Sequence, residues 1–366
     1  MRAAVITLHN MCNYGSQLQT YATQEKLRQY FDDVVFIDYR RPDTYGKRFL
    51  QYFSQGSPIK AAAMLPTLMR YQKLFGNFQK RYIHLTDKTY LTEKDFEKFE
   101  DIADVYFSGS DLVWSTRLNH GVIPMYYLSF VPENRPRYAY ASSFGEETLP
   151  EEEVEQTKAY IGRFTRISVR ESSGESILNR QYHYSSAIQI PDPTLAFPGE
   201  YWRRLAPECG IEGEYILIYS LNRNDKLDQY AVRLSKRTGC PLYRLCTRYD
   251  HMMRPGRSIV LPPVFAFAAL IDHAKLVLTD SFHGTAFSMN LETPPICVSP
   301  PACGERLRAF LSLLGEEERL LSDFRDFEIS ERRVDFTKVR KVLAGERQKT
   351  DQFLREITGK HHEDRV

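Results

Sequence analysis

The feature that most limits what this chain can fold into is an alternation: short apolar runs, each followed by residues at helical spacing. That is the pattern of an α/β protein with largely parallel sheets. In the first half the strand candidates are Ala3–Leu8, Val34–Tyr39, Val105–Ser108, Tyr138–Ser142 and Arg166–Arg170. A helix from about Ser16 to Tyr30 fits between the first two, with Leu18, Ala22, Leu27 and Tyr30 roughly along one face. A second series follows the proline-rich stretch Pro191–Pro198: Tyr215–Tyr219, Pro241–Cys246, Ser258–Leu261, Leu276–Thr279 and Pro295–Val298. Helical stretches near Leu227–Arg237, Val264–His273 and Ala286–Leu291 lie between them. The two series predict two Rossmann-like domains, 1–195 and 196–335, with a ligand cleft between them. Spacing over Phe336–Thr358 predicts a closing helix that returns to pack near the first domain. Gly359 ends it, and a disordered tail covers 359–366.

One stretch departs from the alternation. From 41 to about 98 the chain is basic, aromatic and expected to be helical, with Lys47, Arg48, Lys60, Arg70, Lys73, Lys80 and Arg81. It reads as a solvated helical insertion, as a cover over an acceptor cleft, or as a membrane-surface patch.

Composition excludes several classes. The 366 residues carry 49 Lys+Arg against 47 Asp+Glu, so the net charge of +2 argues against a chain built to track nucleic-acid phosphates. Cys12, Cys209, Cys240, Cys246, Cys297 and Cys303 form no CxxC pair, so neither a zinc framework nor a disulfide scaffold is expected. The pairs His9/Cys12 and His361/His362 fall short of a metal site, and no cofactor is expected. The apolar run Ala3–Leu8 is too short for a signal-peptide core, and no stretch approaches the roughly 20 residues of a membrane span. A cytoplasmic protein is expected.

The segment Leu276–Ser288 carries the most chemical information. An apolar strand runs into small and polar residues, Thr279-Asp-Ser-Phe-His-Gly-Thr285, and a helix follows. In an open parallel sheet that junction lies at the carboxyl edge, where ligands bind. A helix start offers backbone N–H groups and a positive dipole end to a phosphate or carboxylate. Asp280 and Ser281 supply cap-like acceptors, and Gly284 allows close backbone approach. His283 lies inside the turn, where it either acts as a general acid or simply packs. At the end of the first strand, Asn13, Gly15 and Gln17 form a polar turn. Gly15 can adopt positive φ, and Asn13 and Gln17 can bond sugar hydroxyls or merely satisfy backbone. Asp111 follows a strand at the same edge and could accept from a hydroxyl. Trp114 reads as core or as a stacking platform, and Cys12 has no local histidine signature to support a nucleophile.

These segments carry a family resemblance. Thr279-Asp-Ser-Phe-His-Gly284 resembles the Asp-x-x-His-Gly signature of polysaccharide pyruvyltransferases. Asn10-Met-Cys-Asn-Tyr-Gly-Ser-Gln-Leu-Gln19, Gly109-Ser-Asp-Leu-Val-Trp114, Ala141-Ser-Ser-Phe-Gly145, Val169-Arg-Glu-Ser-Ser173 and Pro191-Asp-Pro-Thr194 match the family in the same order. The paired strand series resembles the two-Rossmann GT-B architecture of glycosyltransferases. The resemblance implies transfer of a pyruvyl group from phosphoenolpyruvate to a sugar, lipid- or nucleotide-linked, of a surface or exported polysaccharide. It places the acceptor in the first domain, with Asn13, Gly15, Gln17 and Asp111, and the donor in the second, with Ser281, Gly284, Thr285, Ser220 and Arg223. It also implies that His283 is the acid, that Arg170 holds the phosphate or carboxylate, and that Asp280 orients His283 or caps the helix; Arg170 reads otherwise as an ordinary ion pair with Glu171 or Asp192.

Ser281 departs from the family pattern, standing where ketal-forming members carry an arginine. A serine brings no charge, so Arg223 or Arg306 must compensate or the donor differs. Two other readings remain open: a glycosyltransferase using a sugar nucleotide on the same frame, or a non-catalytic saccharide-binding relative.

Overall fold

The computed structural model describes residues 1–41, 44, 50–51, 54, 57–301 and 304–359. Lys47, Arg48, Cys303, His361 and His362 lie outside the described residues. Apolar strands covered on both faces build two separate sheets, and every strand pair is parallel. Ala3 to Ile6 and Ile216 to Tyr219, in interior strands of the two sheets, are fully buried.

The first sheet has the order β3-β2-β1-β4-β5-β6-β7. Its strands are β1 (Arg2–Ile6), β2 (Asp33–Tyr39), β3 (Leu85–Tyr90), β4 (Val105–Ser108), β5 (Arg137–Ser142), β6 (Arg166–Val169) and β7 (Ile188–Gln189). The second sheet, β10-β9-β8-β11-β12, contains β8 (Ile216–Tyr219), β9 (Leu242–Cys246), β10 (Arg257–Val260), β11 (Leu276–Thr279) and β12 (Pro295–Cys297). Both orders reverse direction once, at β1/β4 and at β8/β11. Those reversals are the topological switch points where open α/β sheets place ligands.

The chain divides into two compact units. Unit 1 comprises Met1–Met64, Phe75–Ala196 and Glu346–Val366; unit 2 comprises Leu65–Leu74 and Phe197–Gly345. The last helix, Phe336–Thr358, contributes its second half to unit 1. There the Tyr30 hydroxyl donates to Asp351 at 2.6 Å, and Arg347 donates to the Leu195 carbonyl at 3.0 Å. Gly359 stops this helix at φ 64°, its N–H returning to the Arg355 carbonyl.

The stretch expected to be helical from 41 to 98 holds a helix over Pro58–Tyr82 and then a strand, β3, paired with β2. β3 lies at the sheet edge, with Asp87, Lys88 and Thr89 exposed, so no apolar run betrays it. Among the described residues no helix is long and apolar enough to cross a membrane.

Candidate functional site

Each switch point is bridged by an aspartate, and each aspartate is held differently. In unit 1 Asp111 follows β4 and faces the loop after β1, where its carboxylate accepts from the Ser16 hydroxyl at 2.8 Å. The residue sits at φ 73°, an uncommon conformation that short polar side chains tolerate. Two N–H groups, of Val113 and Ser143, bond its carbonyl and keep it there. Gly109, two residues earlier, passes the β1 loop so closely that a Cβ would lie 2.8 Å from the Thr7 Cβ.

Behind Asp111 stands Arg170, at the end of β6. Its side chain is buried and lies 2.7 Å from Asp192, 3.5 Å from Asp111 and 3.7 Å from Glu171. Burial opposes its charge, but Asp192, Asp111 and Glu171 outweigh that and raise the guanidinium above its usual value. Asp192 also accepts from the Thr194 N–H and hydroxyl, and Glu171 from the Ser143 hydroxyl at 2.6 Å. Among the described residues, these ion pairs set one cation among three carboxylates, which leaves the surroundings acidic. A donor phosphate or carboxylate would meet net repulsion there, whereas a neutral hydroxyl would not. What the structure shows for Arg170 is ion pairing with Asp192, Asp111 and Glu171.

The turn after β1 works mainly for its own shape. Asn13 is the N-cap of the helix Tyr14–Leu27, accepting from the Ser16 N–H at 2.8 Å. Gln17 donates to the carbonyls of His9 and Met11, each at 2.9 Å. Gly15 lies in the first helical turn and is not among the glycines with positive φ, contrary to expectation. Trp114 is a core residue, stacked on Tyr127 and donating to the Tyr126 carbonyl. Burial pushes the Cys12 thiol up to about 12, which suppresses the thiolate a nucleophile needs.

In unit 2 Asp280 follows β11 and faces the loop after β8. It accepts from the Leu221 N–H at 2.7 Å, from the Asn222 N–H and side-chain amide at 3.0 Å, and from the Ser220 hydroxyl at 3.1 Å. Its partners are neutral donors, so the carboxylate is satisfied without a cation. Both oxygens of Asp280 hold the Ser220–Asn222 loop. Capping falls to Ser281, whose hydroxyl accepts from the Gly284 N–H at 3.3 Å.

The helix Phe282–Asn290 begins immediately after that cap, and His283 is buried in its first turn. Gly284 is required by space: a Cβ there would lie 2.4 Å from Thr279 Oγ1 and 3.0 Å from the Tyr219 ring. Thr285 donates its hydroxyl to the Ser281 carbonyl at 3.1 Å and is buried. Burial and the neighbouring Asp280 charge push the Tyr219 phenol well above its usual range, so it stays protonated. The Arg306 guanidinium lies over the Phe282 ring, 5.7 Å from its centroid, beside the helix start. Arg223, by contrast, is exposed and paired with the exposed Asp225.

Sequence reading missed Ser16 and Asn222 as partners of the two aspartates. Each follows the first strand of its sheet in chain order, a signal that becomes readable only once strand order is known.

Two parallel sheets, each with its loops tied across a switch point, define an α/β protein of two Rossmann-like units, the GT-B-like class. A family model described as polysaccharide pyruvyl transferase matches residues 13–301, and the chain belongs to that family. Among solved structures, the glycosyltransferase SnogD from Streptomyces nogalater is similar at 11% identity over 98% of this chain and 99% of that one, with a TM-score of 0.50. UDP-GlcNAc 2-epimerase from Neisseria meningitidis is similar at 10% identity over 96% and 94%, TM-score 0.49. The E. coli heptosyltransferase WaaC is similar at 14% identity over 82% and 90%, TM-score 0.37. At these identities the likeness to SnogD is one of fold. No curated protein matches the chain by sequence.

Proposed function

We propose that this chain transfers a pyruvyl group from phosphoenolpyruvate to two hydroxyls of a sugar in a surface or exported polysaccharide precursor, forming a ketal. The observation that carries the reading is the β8/β11 junction. A helix start with His283 in its first turn is braced by Asp280 and lies beside the Arg306 guanidinium. Helix starts favour anions, and phosphoenolpyruvate carries two anionic groups.

In the reaction His283 gives a proton to the methylene carbon, which becomes the methyl group. One sugar hydroxyl adds to the central carbon and loses its proton. The oxygen of the second hydroxyl then bonds the central carbon as the carbon–oxygen bond to phosphate breaks; phosphate leaves with that electron pair and takes up the hydroxyl proton. General acid catalysis of this kind contributes about 100- to 10,000-fold. Arg306 supplies the charge that Ser281 lacks, and the Ser281, Gly284 and Thr285 backbone shapes the donor site. In unit 1, Asp111 is the carboxylate for an acceptor hydroxyl, and Arg170 is its positioning residue. Asn13, Gly15 and Gln17 form the turn that presents Ser16 to Asp111.

The test is incubation with phosphoenolpyruvate and a panel of lipid- or nucleotide-linked sugars. Phosphate release together with a pyruvyl mass gain on one acceptor is the expected result. Turnover of a sugar nucleotide without any use of phosphoenolpyruvate would overturn the reading.

A further inference from the structure

The helix Pro58–Tyr82 buries one face and leaves an apolar one uncovered. Met64, Thr67, Tyr71, Phe75 and Phe78 point inward. Opposite them Ile59 is 81% exposed and Met69 70%, with Ala62, Ala63 and Pro66 exposed on the same stripe and Leu65 at its edge. From Ser57 to Thr86 the sequence contains no Asp or Glu, and its charged residues are Lys60, Arg70, Lys73, Lys80 and Arg81.

A second apolar element adjoins the Leu65–Leu74 portion within unit 2. The turn Tyr249–Met253 is tied to that helix by the Tyr249 N–H, which donates to Thr67 Oγ1 at 3.3 Å. Tyr249 and Met252 are exposed, and Met253 is 90% exposed. Arg248, Arg254 and Arg257 flank them; Arg248 pairs with Asp250 and Arg254 with Asp228, while Arg257 is exposed beside the Tyr243 ring. Apolar side chains set in water within an acid-poor basic frame are the pattern of interfacial elements. A second copy docking on the same face would bring like charges together. An anionic lipid surface would not.

We infer that this face of unit 2 seats the protein on an anionic bilayer, with Leu65, Met69, Met252 and Met253 entering the headgroup layer and Lys73 and Arg257 meeting lipid phosphates. A saccharide precursor carried on a lipid is the acceptor class such a surface serves. That last step rests on the pyruvyl-transfer reading; the seating itself does not.

The experiment is co-sedimentation of the full chain with phosphatidylcholine vesicles, with and without phosphatidylglycerol, at low and high salt. Binding only to the anionic vesicles, weakened by salt, is expected. Met69→Glu/Met253→Glu and Lys73→Glu/Arg257→Glu should each lower the partition by about tenfold or more, with melting temperature and turnover of a water-soluble acceptor unchanged. No binding to anionic vesicles, or binding by both variants equal to that of the unaltered chain, overturns the inference. So does lipid-free self-association that Met69→Glu/Met253→Glu abolishes, because the face is then a protein interface. Loss of vesicle binding with intact pyruvyl transfer, or the reverse, shows which of the two readings has failed.

Discussion

At the β1/β4 junction Asp111 leans on a buried guanidinium that two further carboxylates share; at the β8/β11 junction Asp280 leans only on neutral N–H and O–H donors. The same residue type at equivalent strand ends therefore produces opposite surroundings. Unit 1 gathers three negative charges around one positive, which disfavours an anionic ligand and suits a neutral hydroxyl. Unit 2 satisfies its carboxylate locally and leaves a helix start flanked by Arg306, which suits phosphate or carboxylate. Under the proposed function, the two switch points hold the acceptor and donor sites, and this difference in charge divides the tasks between them.

Removing the cation of unit 1 tests this contrast with the largest effect. Arg170→Ala leaves Asp111, Glu171 and Asp192 buried without a counter-charge and should cost about 3–5 kcal/mol in urea unfolding. Arg170→Lys should recover part of it. A cost below about 1 kcal/mol for the alanine variant would show that the cluster does not hold unit 1 together.

In unit 2 the matching change is Asp280→Asn, which turns one acceptor into an amide facing the Ser220 and Asn222 donors. It should cost about 1.5–3 kcal/mol and raise KM for phosphoenolpyruvate as the loop loosens. An unchanged stability and KM would sever Asp280 from the site. Gly284→Ala should cost about 1–3 kcal/mol, because the new methyl meets Thr279 Oγ1 and the Tyr219 ring. Wild-type stability in that variant would mean that the turn has room to spare.

The smallest effect lies on the pH axis. In unit 2, burial pushes the His251 imidazole down to about 4, aided by Arg248, Arg254 and Arg244 and opposed by Asp250. Below about pH 6.5 the unfolded chain binds a proton that folded His251 refuses, so unit 2 loses stability as pH falls towards 4. In unit 1, burial opposes the Asp38 charge, but His9, Arg40 and Thr89 hold its carboxyl below the usual range. Its contribution is present above about pH 3.9 and is lost only as pH falls through the lower folded value. Trp114 lies in unit 1 and Trp202 in unit 2, so single-tryptophan variants can follow each unit separately. Unit 2 should weaken first on acidification, and His251→Gln should flatten the loss. Equal acid responses would erase this part of the contrast.

What the sequence disclosed follows from local physics. Leu276–Thr279 reads as a buried strand, and the small polar residues after it read as a helix start. The observed strand covers those same residues. The helix that follows begins at Phe282, well before the Ala286 of the sequence reading, because every residue of Phe282–Asn290 is buried and no amphipathic period marks its start. β3 stayed hidden behind its charged edge, and β7, only Ile188–Gln189, is too short to leave a pattern. The site partners were illegible for a different reason. Asp280 meets Ser220 and Asn222 across some sixty positions, and Arg170 meets Asp111 across an equal span. Only strand order brings such residues together.

The central claim is that the imidazole at the β8/β11 helix start delivers the proton that opens phosphoenolpyruvate. His283→Asn keeps the size and polarity of the side chain in the first helical turn but removes its acid. The deciding measurement is kcat of that variant with phosphoenolpyruvate and a working acceptor, beside a thermal melt and donor-binding calorimetry on the same preparation. The account predicts a fall in kcat of at least about 100-fold with melting temperature and donor affinity largely retained. An unaltered kcat in a folded His283→Asn protein would contradict it.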